Sequence, residues 1–310
     1  MSGISVVIPT MNRLESLKRT LLTLMDGTVL PDEIIIIDQT DNLKMREDTK
    51  QFVSTLPVYT YYVYLEQPSL TKARNEGMNY VSNEYVIQMD DDVDVKRNTL
   101  ENLIDIFSDN RIALVAGINE NDSPGTSLTG YLFGKKSYLK RNIGHVTLSM
   151  YGRFPIKISG DVNTEWAMGF FFAIRKSLFN KWNLKWDENL IGYAYAEDLD
   201  FSYQYYLNAI ENDLKCIMSE KIIVKHNVST EWRLIPRKHT FMIVLHREYL
   251  SYKFYKNPLA RLATRWSNFG EFLRRFLKKE NPKDVLEAQI LCDRYRRDIK
   301  KGIFHYEMFM

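Results

Sequence analysis

Ile4 to Ile8 form an apolar run that closes in Pro9 and Thr10, and Leu14, Leu17, Leu21 and Leu24 then recur at the spacing of one helix face. This predicts a strand, a turn and a helix. Glu33 to Ile37 makes a second apolar run, stopped by the turn-forming Asp38, Gln39, Thr40 and Asp41. Val58 to Leu65, dense in Tyr and Val, predicts a third strand, Thr71 to Val81 a helix, and Tyr85 to Met89 a fourth strand. Strands alternating with helices imply an α/β fold with a mostly parallel sheet and flanking helices, whose ligands bind outside the carboxyl ends of the strands. Thr10, Asp38 and the acids after Met89 all fall at such ends.

Asn121 to Glu165 is less regular, with glycines from Gly125 to Gly160 among basic residues, and predicts loops and short strands. Trp166 to Ile174 is apolar except for Gly169 and predicts a buried strand, in which Gly169 could let a ligand approach the backbone. Leu199 to Ile210 has helical spacing, and Glu197, Asp198 and Asp200 sit where acids suit a helix N-terminus. Beyond Ile235 the pattern is helical. Leu259, Leu262, Ala263, Trp266, Phe269, Phe272, Leu273, Phe276 and Leu277 form one apolar stripe among Arg and Lys residues. Packing on the sheet domain is the simplest use of that stripe; a membrane surface or a partner subunit is the other.

The 310 residues, 45% of them hydrophobic, suffice for one large domain or two modest ones. The sequence begins on a strand pattern without a charged leader, no window reaches about 18 apolar residues, and Cys216 and Cys292 are too few for a disulfide framework. A reducing cytoplasm is the expected location. The net charge of +3 hides an asymmetry: from Thr230 onward 18 Lys and Arg face 9 Asp and Glu, leaving that tail near +9 and the remainder near −6. A basic tail can hold a chain against an anionic surface, here a membrane leaflet rather than a nucleic acid, or can form a dimer surface.

The chemistry centres on Asp90, Asp91 and Asp92, directly after the fourth strand, with Asp94 beyond. Strand alternation puts Asp90 and Asp92 on one face, roughly 6 to 7 Å apart. Clustered carboxylates suit Mg²⁺ or Mn²⁺ shared with substrate phosphates, although an acidic solvated turn gives the same string. An EF-hand is excluded, because Val95 stands where that loop needs Gly and a strand precedes it. Neither GxGxxG nor GxxxxGK[ST] occurs, so a metal and Arg74 are left to neutralise phosphates. The acids at Glu197 and Asp198 are either helix caps or a second catalytic cluster about a hundred residues away. His226, taken alone, reads as a structural histidine.

Six segments in order, VVIPTMNR, EIIIIDQTDN, LTKARNEGM, YVIQMDDDVDV, WAMGFFFAIRKSLF and YAEDLDFSYQ, resemble an inverting GT-A glycosyltransferase of family 2 over about residues 3 to 230. The resemblance implies a GT-A, Rossmann-like sheet, with residues 1–120 binding a nucleotide-sugar donor, 121–235 binding the acceptor and carrying catalysis, and 236–310 forming a basic amphipathic helical extension. It places Pro9, Thr10, Arg13, Asp38, Arg74, Asp90 and Asp91 around the donor, with Asp38 reading the base and Asp90 facing the ribose. Asp92 and His226 would hold Mn²⁺ or Mg²⁺, Asp198 would be the general base, and Trp166, Gly169 and Glu197 would lie on the acceptor side. UDP- is the first expectation for the donor nucleotide and dTDP- the second, with a glycan or lipid-linked glycan as acceptor. DQTD at the second strand departs from the paired acids of many relatives, with Gln39 in the second acid's place. The QxxRW motif of processive synthases is absent, and EWR at Glu231 to Arg233 does not replace it, so one sugar is expected per encounter. The implied role is bacterial cell-surface polysaccharide synthesis; the alternative is a catalytically inactive nucleotide-sugar- or carbohydrate-binding subunit.

Overall fold

The structure is a computed structural model, and it describes residues 3–121, 128–191, 194–227, 236–305 and 308. Gly125 and the Glu231–Arg233 segment lie outside the described residues. The elements run β1 (Ile4–Thr10), α1 (Leu14–Met25), β2 (Glu33–Asp38), α2 (Leu43–Val53), β3 (Tyr59–Tyr64), α3 (Leu70–Tyr80), β4 (Tyr85–Met89), β5 (Val93–Val95), α4 (Thr99–Phe107), β6 (Ile112–Asn119), α5 (Leu128–Leu132), β7 (His145–Val146), β8 (Gly152–Arg153), β9 (Asp161–Asn163), β10 (Phe171–Arg175), α6 (Lys176–Lys181), α7 (Glu197–Glu211), β11 (Lys215–His226), α8 (Pro236–Phe254), α9 (Leu259–Leu277), α10 (Lys283–Arg294) and α11 (Arg296–Lys300).

One sheet organises the chain in the order β3-β2-β1-β4-β10-β6-β11-β5, with β9 added against β11. The strands from β3 to β4 are parallel, β10 is antiparallel to both β4 and β6, and β6 and β11 are parallel again. Both faces are covered, so the strands alternate between two apolar layers. Val6, Ile8, Ile87, Met89 and Phe171 meet the α1 and α4 residues Leu17, Leu21, Leu103 and Phe107 on one side. Val7, Ile35, Ile37, Val86, Phe172 and Ile174 meet Ala73, Trp186 and Phe201 on the other. Gly77 makes that second layer close: a Cβ there would stand 2.4 Å from Val7 Cγ1, so only hydrogen lets α3 lie this near β1. Arg74, three residues earlier on the same helix face, is thereby carried to the sheet's carboxyl edge.

Trp166 to Ile174 is buried throughout except for partly exposed Met168, but only Phe171 onward is strand. The expectation of one continuous strand is corrected by where the backbone groups go. The Ala167 N–H donates to Ser202 Oγ, the Gly169 N–H to Asp198 Oδ2, and the Gly169 carbonyl accepts from Arg74. Side chains have replaced ladder partners there.

The helices from Pro236 onward pack against the part of the chain that runs from β7 to α7. Phe241, Leu245, Tyr249 and Leu250 of α8 join Trp166, Leu190, Leu199 and Tyr203 in a third core. The α9 stripe packs only in part. Leu262, Trp266, Phe269, Phe276 and Leu277 are exposed, whereas Ala260, Thr264, Ser267, Asn268 and Gly270 are buried. Packing of the apolar stripe is therefore partial: Phe272 lies against the third core and Phe133 against Trp266 and Phe269, while Leu262, Phe276 and Leu277 stay exposed. The small polar face is drawn inward by Arg247 of α8, which is fully buried and donates to Asn268 Oδ1 at 3.0 Å, to Ser267 Oγ and to the Ser149 carbonyl. A buried guanidinium demands acceptors, and α9 supplies them.

Candidate active site

The sheet register brings the expected strand ends together. Thr10 stands opposite Asp38, and Pro9, buried, opposite Ile37. Asp38 is fully buried with both oxygens engaged, accepting from the Tyr62 hydroxyl at 2.6 Å and the Thr40 N–H at 2.8 Å. Burial and Asp38 together raise the Tyr62 phenol well above its ordinary range. Gln39, beside it, donates to the Gln67 and Ser69 carbonyls and fixes the start of α3.

The three aspartates divide as strand alternation predicts. Asp91 turns inward, accepting from the Thr10 hydroxyl at 2.6 Å and from Arg13 Nη1 at 3.1 Å. Burial pushes its carboxyl up to about 7 against the pull of Arg13. Asp92 Oδ1 lies 3.1 Å from His226 Nε2, and its Oδ2 lies 3.5 Å from Arg13. His226 ends β11, its ring stacks on Phe170 at 5.2 Å, and its N–H donates to Asn119 Oδ1. One carboxylate oxygen each from Asp90 and Asp92 and one His226 ring nitrogen lie within 4.8 Å of one another. Two hard oxygens and an imidazole suit a divalent first-row ion such as Mn²⁺ better than Mg²⁺, which prefers oxygen alone. The donor set fits.

Arg74 organises the other side. Its fully buried guanidinium donates to Glu197 Oε1, Gln88 Oε1, Asp90 Oδ1 and the Gly169 carbonyl over 2.9 to 3.3 Å. Burial disfavours its charge, but Glu197, Asp90 and Asp198 outweigh that and hold it protonated. The second Glu197 oxygen, Oε2, is buried without a hydrogen-bond partner among the described residues. Burial pushes this carboxyl up to about 8, with Asp198 and Asp90 adding repulsion. Asp198, next along α7, accepts from the Gly169 N–H at 2.9 Å and the Leu199 N–H at 2.7 Å. Burial raises its pKa, and those two N–H groups restrain the rise. Gly169 is the hinge of this arrangement: a Cβ would stand 3.1 Å from both Arg74 Nη2 and Glu197 Oε1. Ala194 and Ala196, before α7, have φ of 52° and 67°, a left-handed conformation that costs alanine roughly 1–2 kcal/mol and that the surrounding packing must offset.

Trp166 is buried. Its Nε1–H donates to the Arg153 carbonyl at 3.0 Å and its ring lies against Gly152 and Phe154, so the side chain is turned into the fold. Sequence reasoning passed over Tyr62, Gln88, Asn119 and Phe170. Gln88 carried a usable signal, being the one polar residue inside the apolar strand YVIQM. Phe170 and Asn119 carried none, because only the fold brings them to His226.

Residues 5–182 match the model of Glycosyl transferase family 2, more than half of the chain. The chain belongs to that family. This glycosyltransferase is 22% identical over 300 residues to the poly(ribitol-phosphate) beta-N-acetylglucosaminyltransferase TarP of Staphylococcus aureus strain N315, covering 94% of this chain and 84% of that protein. Among solved structures it resembles GalNAc-T7 bound to UDP, GalNAc and Mn²⁺, with a TM-score of 0.58 and 17% identity. That match covers 87% of this chain and 55% of GalNAc-T7, so the glycosyltransferase spans about half of that protein's length. It also resembles the mannosyltransferase PcManGT of Pyrobaculum calidifontis with GDP-Man and Mn²⁺, with a TM-score of 0.57 and 12% identity over 97% of this chain and 84% of that one. These likenesses establish the GT-A fold. Among the described residues no helix is long and apolar enough to cross a membrane.

Proposed function

We propose that this glycosyltransferase moves one sugar from a nucleotide diphosphate donor to a glycan or lipid-linked glycan, with inversion at the anomeric carbon, in bacterial cell-surface polysaccharide synthesis. The observation that carries the reading is the convergence of Asp90, Asp92 and His226 within 4.8 Å on one side of Arg74, with Asp198 held by Gly169 on the other. UDP- is the first choice of nucleotide and dTDP- the second, supported by the UDP bound to GalNAc-T7. The name of TarP supports a surface-polymer acceptor.

In this reading Pro9, Thr10, Arg13, Asp38, Arg74, Asp90 and Asp91 shape the donor side, within residues 1–120, and residues 121–235 receive the acceptor. Asp198 accepts the proton of the attacking hydroxyl, its oxygens kept in place by the Gly169 and Leu199 N–H groups. Its raised pKa suits that task, because a general base works best when its affinity for a proton lies nearer the working pH. Glu197 and Trp166 position Arg74 and the acceptor wall. Mn²⁺ held by Asp90, Asp92 and His226 would supply positive charge to the departing diphosphate. A cytoplasmic chain resting on the inner membrane face through the α9 stripe completes the reading; the same stripe paired with a second copy is its rival.

The test is thermal stabilisation by UDP-, dTDP- and GDP-sugars with and without Mn²⁺, on wild type, Asp92→Ala and Asp198→Ala. One donor should stabilise wild type and Asp198→Ala only with metal, and Asp92→Ala not at all. If no nucleotide sugar binds, the metal-site assignment fails; donor binding with no transfer to any acceptor would favour the inactive-subunit alternative.

A further inference from the structure

Five cations, Lys256, Arg261, Arg296, Arg297 and Lys300, line one cavity of about 630 Å³ between the end of α8, the start of α9 and α11, and among the described residues no carboxylate lines it. That volume falls within the roughly 300–1,000 Å³ typical of ligand sites. None of the five forms an ion pair among the described residues, nor do Lys278, Lys279, Lys283, Arg294 and Lys301 of the same extension, whereas Arg237, Lys253, Arg265, Arg274 and Arg275 are tied to carboxylates; what sets the five apart is that they share one cavity. Asp298, the acid between Arg297 and Lys300, lies 3.3 Å from His305 Nε2 instead. Like charges gathered this way repel weakly in water, and an anion between them turns that repulsion into attraction.

The cavity is also partly preorganised. The Arg261 guanidinium lies over the Tyr252 ring at 4.7 Å and donates to the Tyr255 and Lys256 carbonyls, and Arg296 Nε donates to the Tyr252 hydroxyl at 3.1 Å. The Tyr255 hydroxyl meets that of Tyr203 on α7 at 3.3 Å, so the cavity is anchored to the catalytic helix. We infer that this cavity is a second anion site, separate from the metal and Arg74, that holds a chain bearing several phosphodiester groups. A single phosphate would leave most of five cations unneutralised, and a recessed cavity suits a chain that can enter it better than the flat surface of a bilayer.

The inference goes beyond the proposed transfer reaction and is tested without donor or metal. Binding of a fluorescein-labelled glycerol-phosphate trimer is measured by anisotropy in EDTA, with uncharged maltotriose as competitor, alongside co-sedimentation with phosphatidylglycerol vesicles. Two folded variants of equal charge loss are compared, Arg297→Gln with Lys300→Gln at the cavity, and Lys278→Gln with Lys283→Gln elsewhere on the extension. The trimer should bind wild type and the second variant, unaffected by maltotriose, and lose about tenfold or more in affinity for the cavity variant. Equal losses in both variants, or no binding to wild type, overturn the site. Vesicle binding that depends on the cavity, without trimer binding, overturns the polymer and assigns the cavity to a lipid headgroup.

Discussion

Arg74 Nε and Glu197 Oε1 meet at 3.1 Å across 123 positions of sequence, with side chains only 1% and 5% exposed. The pair ties α3, a helix of the parallel half, to the first turn of α7. It therefore couples the two acidic clusters mechanically, since Arg74 also reaches Asp90 and the Gly169 carbonyl.

Removing one partner of such a pair leaves a buried charge without compensation. Arg74→Ala should lower stability by about 3–5 kcal/mol in urea denaturation. Arg74→Lys should retain part of that stability and still lose transfer activity, because an ammonium cannot reach four acceptors in one plane. An unchanged denaturation midpoint for Arg74→Ala would show that the pair does not hold the halves together.

Gly169→Ala tests the hinge itself. The added methyl would press on Arg74, Glu197 and Asp198, the last at 3.3 Å from its Cβ, and overpacking of this kind costs about 1–3 kcal/mol. Because Arg74 Nη2 also holds Asp90 and Asp198 sits against the same methyl, donor affinity and the turnover number should both fall. Unchanged kinetics would remove Gly169 from the link between the two acidic clusters.

Much of this was legible beforehand for a physical reason. Parallel strands buried on both faces read as apolar runs, and the acids at their ends stand out against them. The helix α2 was not legible, since only Thr49 and Val53 of it are buried and its start rests on the Asn42 cap. β11 hid behind a bulge, its register shifting between Met218 and Ile223 where Ser219, Glu220 and Lys221 break the pattern. The runs at α4 and β6 carry the same apolar signal. For α9 the hydrophobicity rule held only in part: the buried face is chosen by the acceptors Arg247 requires, a requirement that appears only once α8 is seen to be surrounded.

His226 supplies the one nitrogen of the ion-binding group, so it should decide the choice of metal. His226→Ala leaves carboxylate oxygens alone, which lowers affinity for Mn²⁺ more than for Mg²⁺. Titrating each ion against the protein by calorimetry gives the ratio. An unchanged Mn²⁺ to Mg²⁺ preference would remove the imidazole from the coordination set.

His246 should make the fold acid-sensitive. It is fully buried in α8, with Nδ1 3.0 Å from the Tyr195 carbonyl, so Nδ1 carries the proton and donates. The ring meets Phe304 at 5.0 Å, and burial drives its pKa down from 6.5 to about 4, with the Tyr195 carbonyl and Asp187 opposing weakly. A depressed folded pKa means that the unfolded chain takes up the proton first. The contribution is complete above about pH 6.5 and is lost as pH falls through 4, on the order of 3 kcal/mol for a shift of this size. Because Asp91, Glu197 and Asp200 have raised pKa values and act in the opposite sense, the comparison must be with a variant rather than with wild type alone. His246→Asn preserves a donor toward Tyr195 and cannot titrate. Its melting temperature should lie below that of wild type at pH 7, and the gap should close or reverse between pH 6.5 and 4. A gap that stays constant across that window would mean that His246 is not the group whose protonation opens the extension.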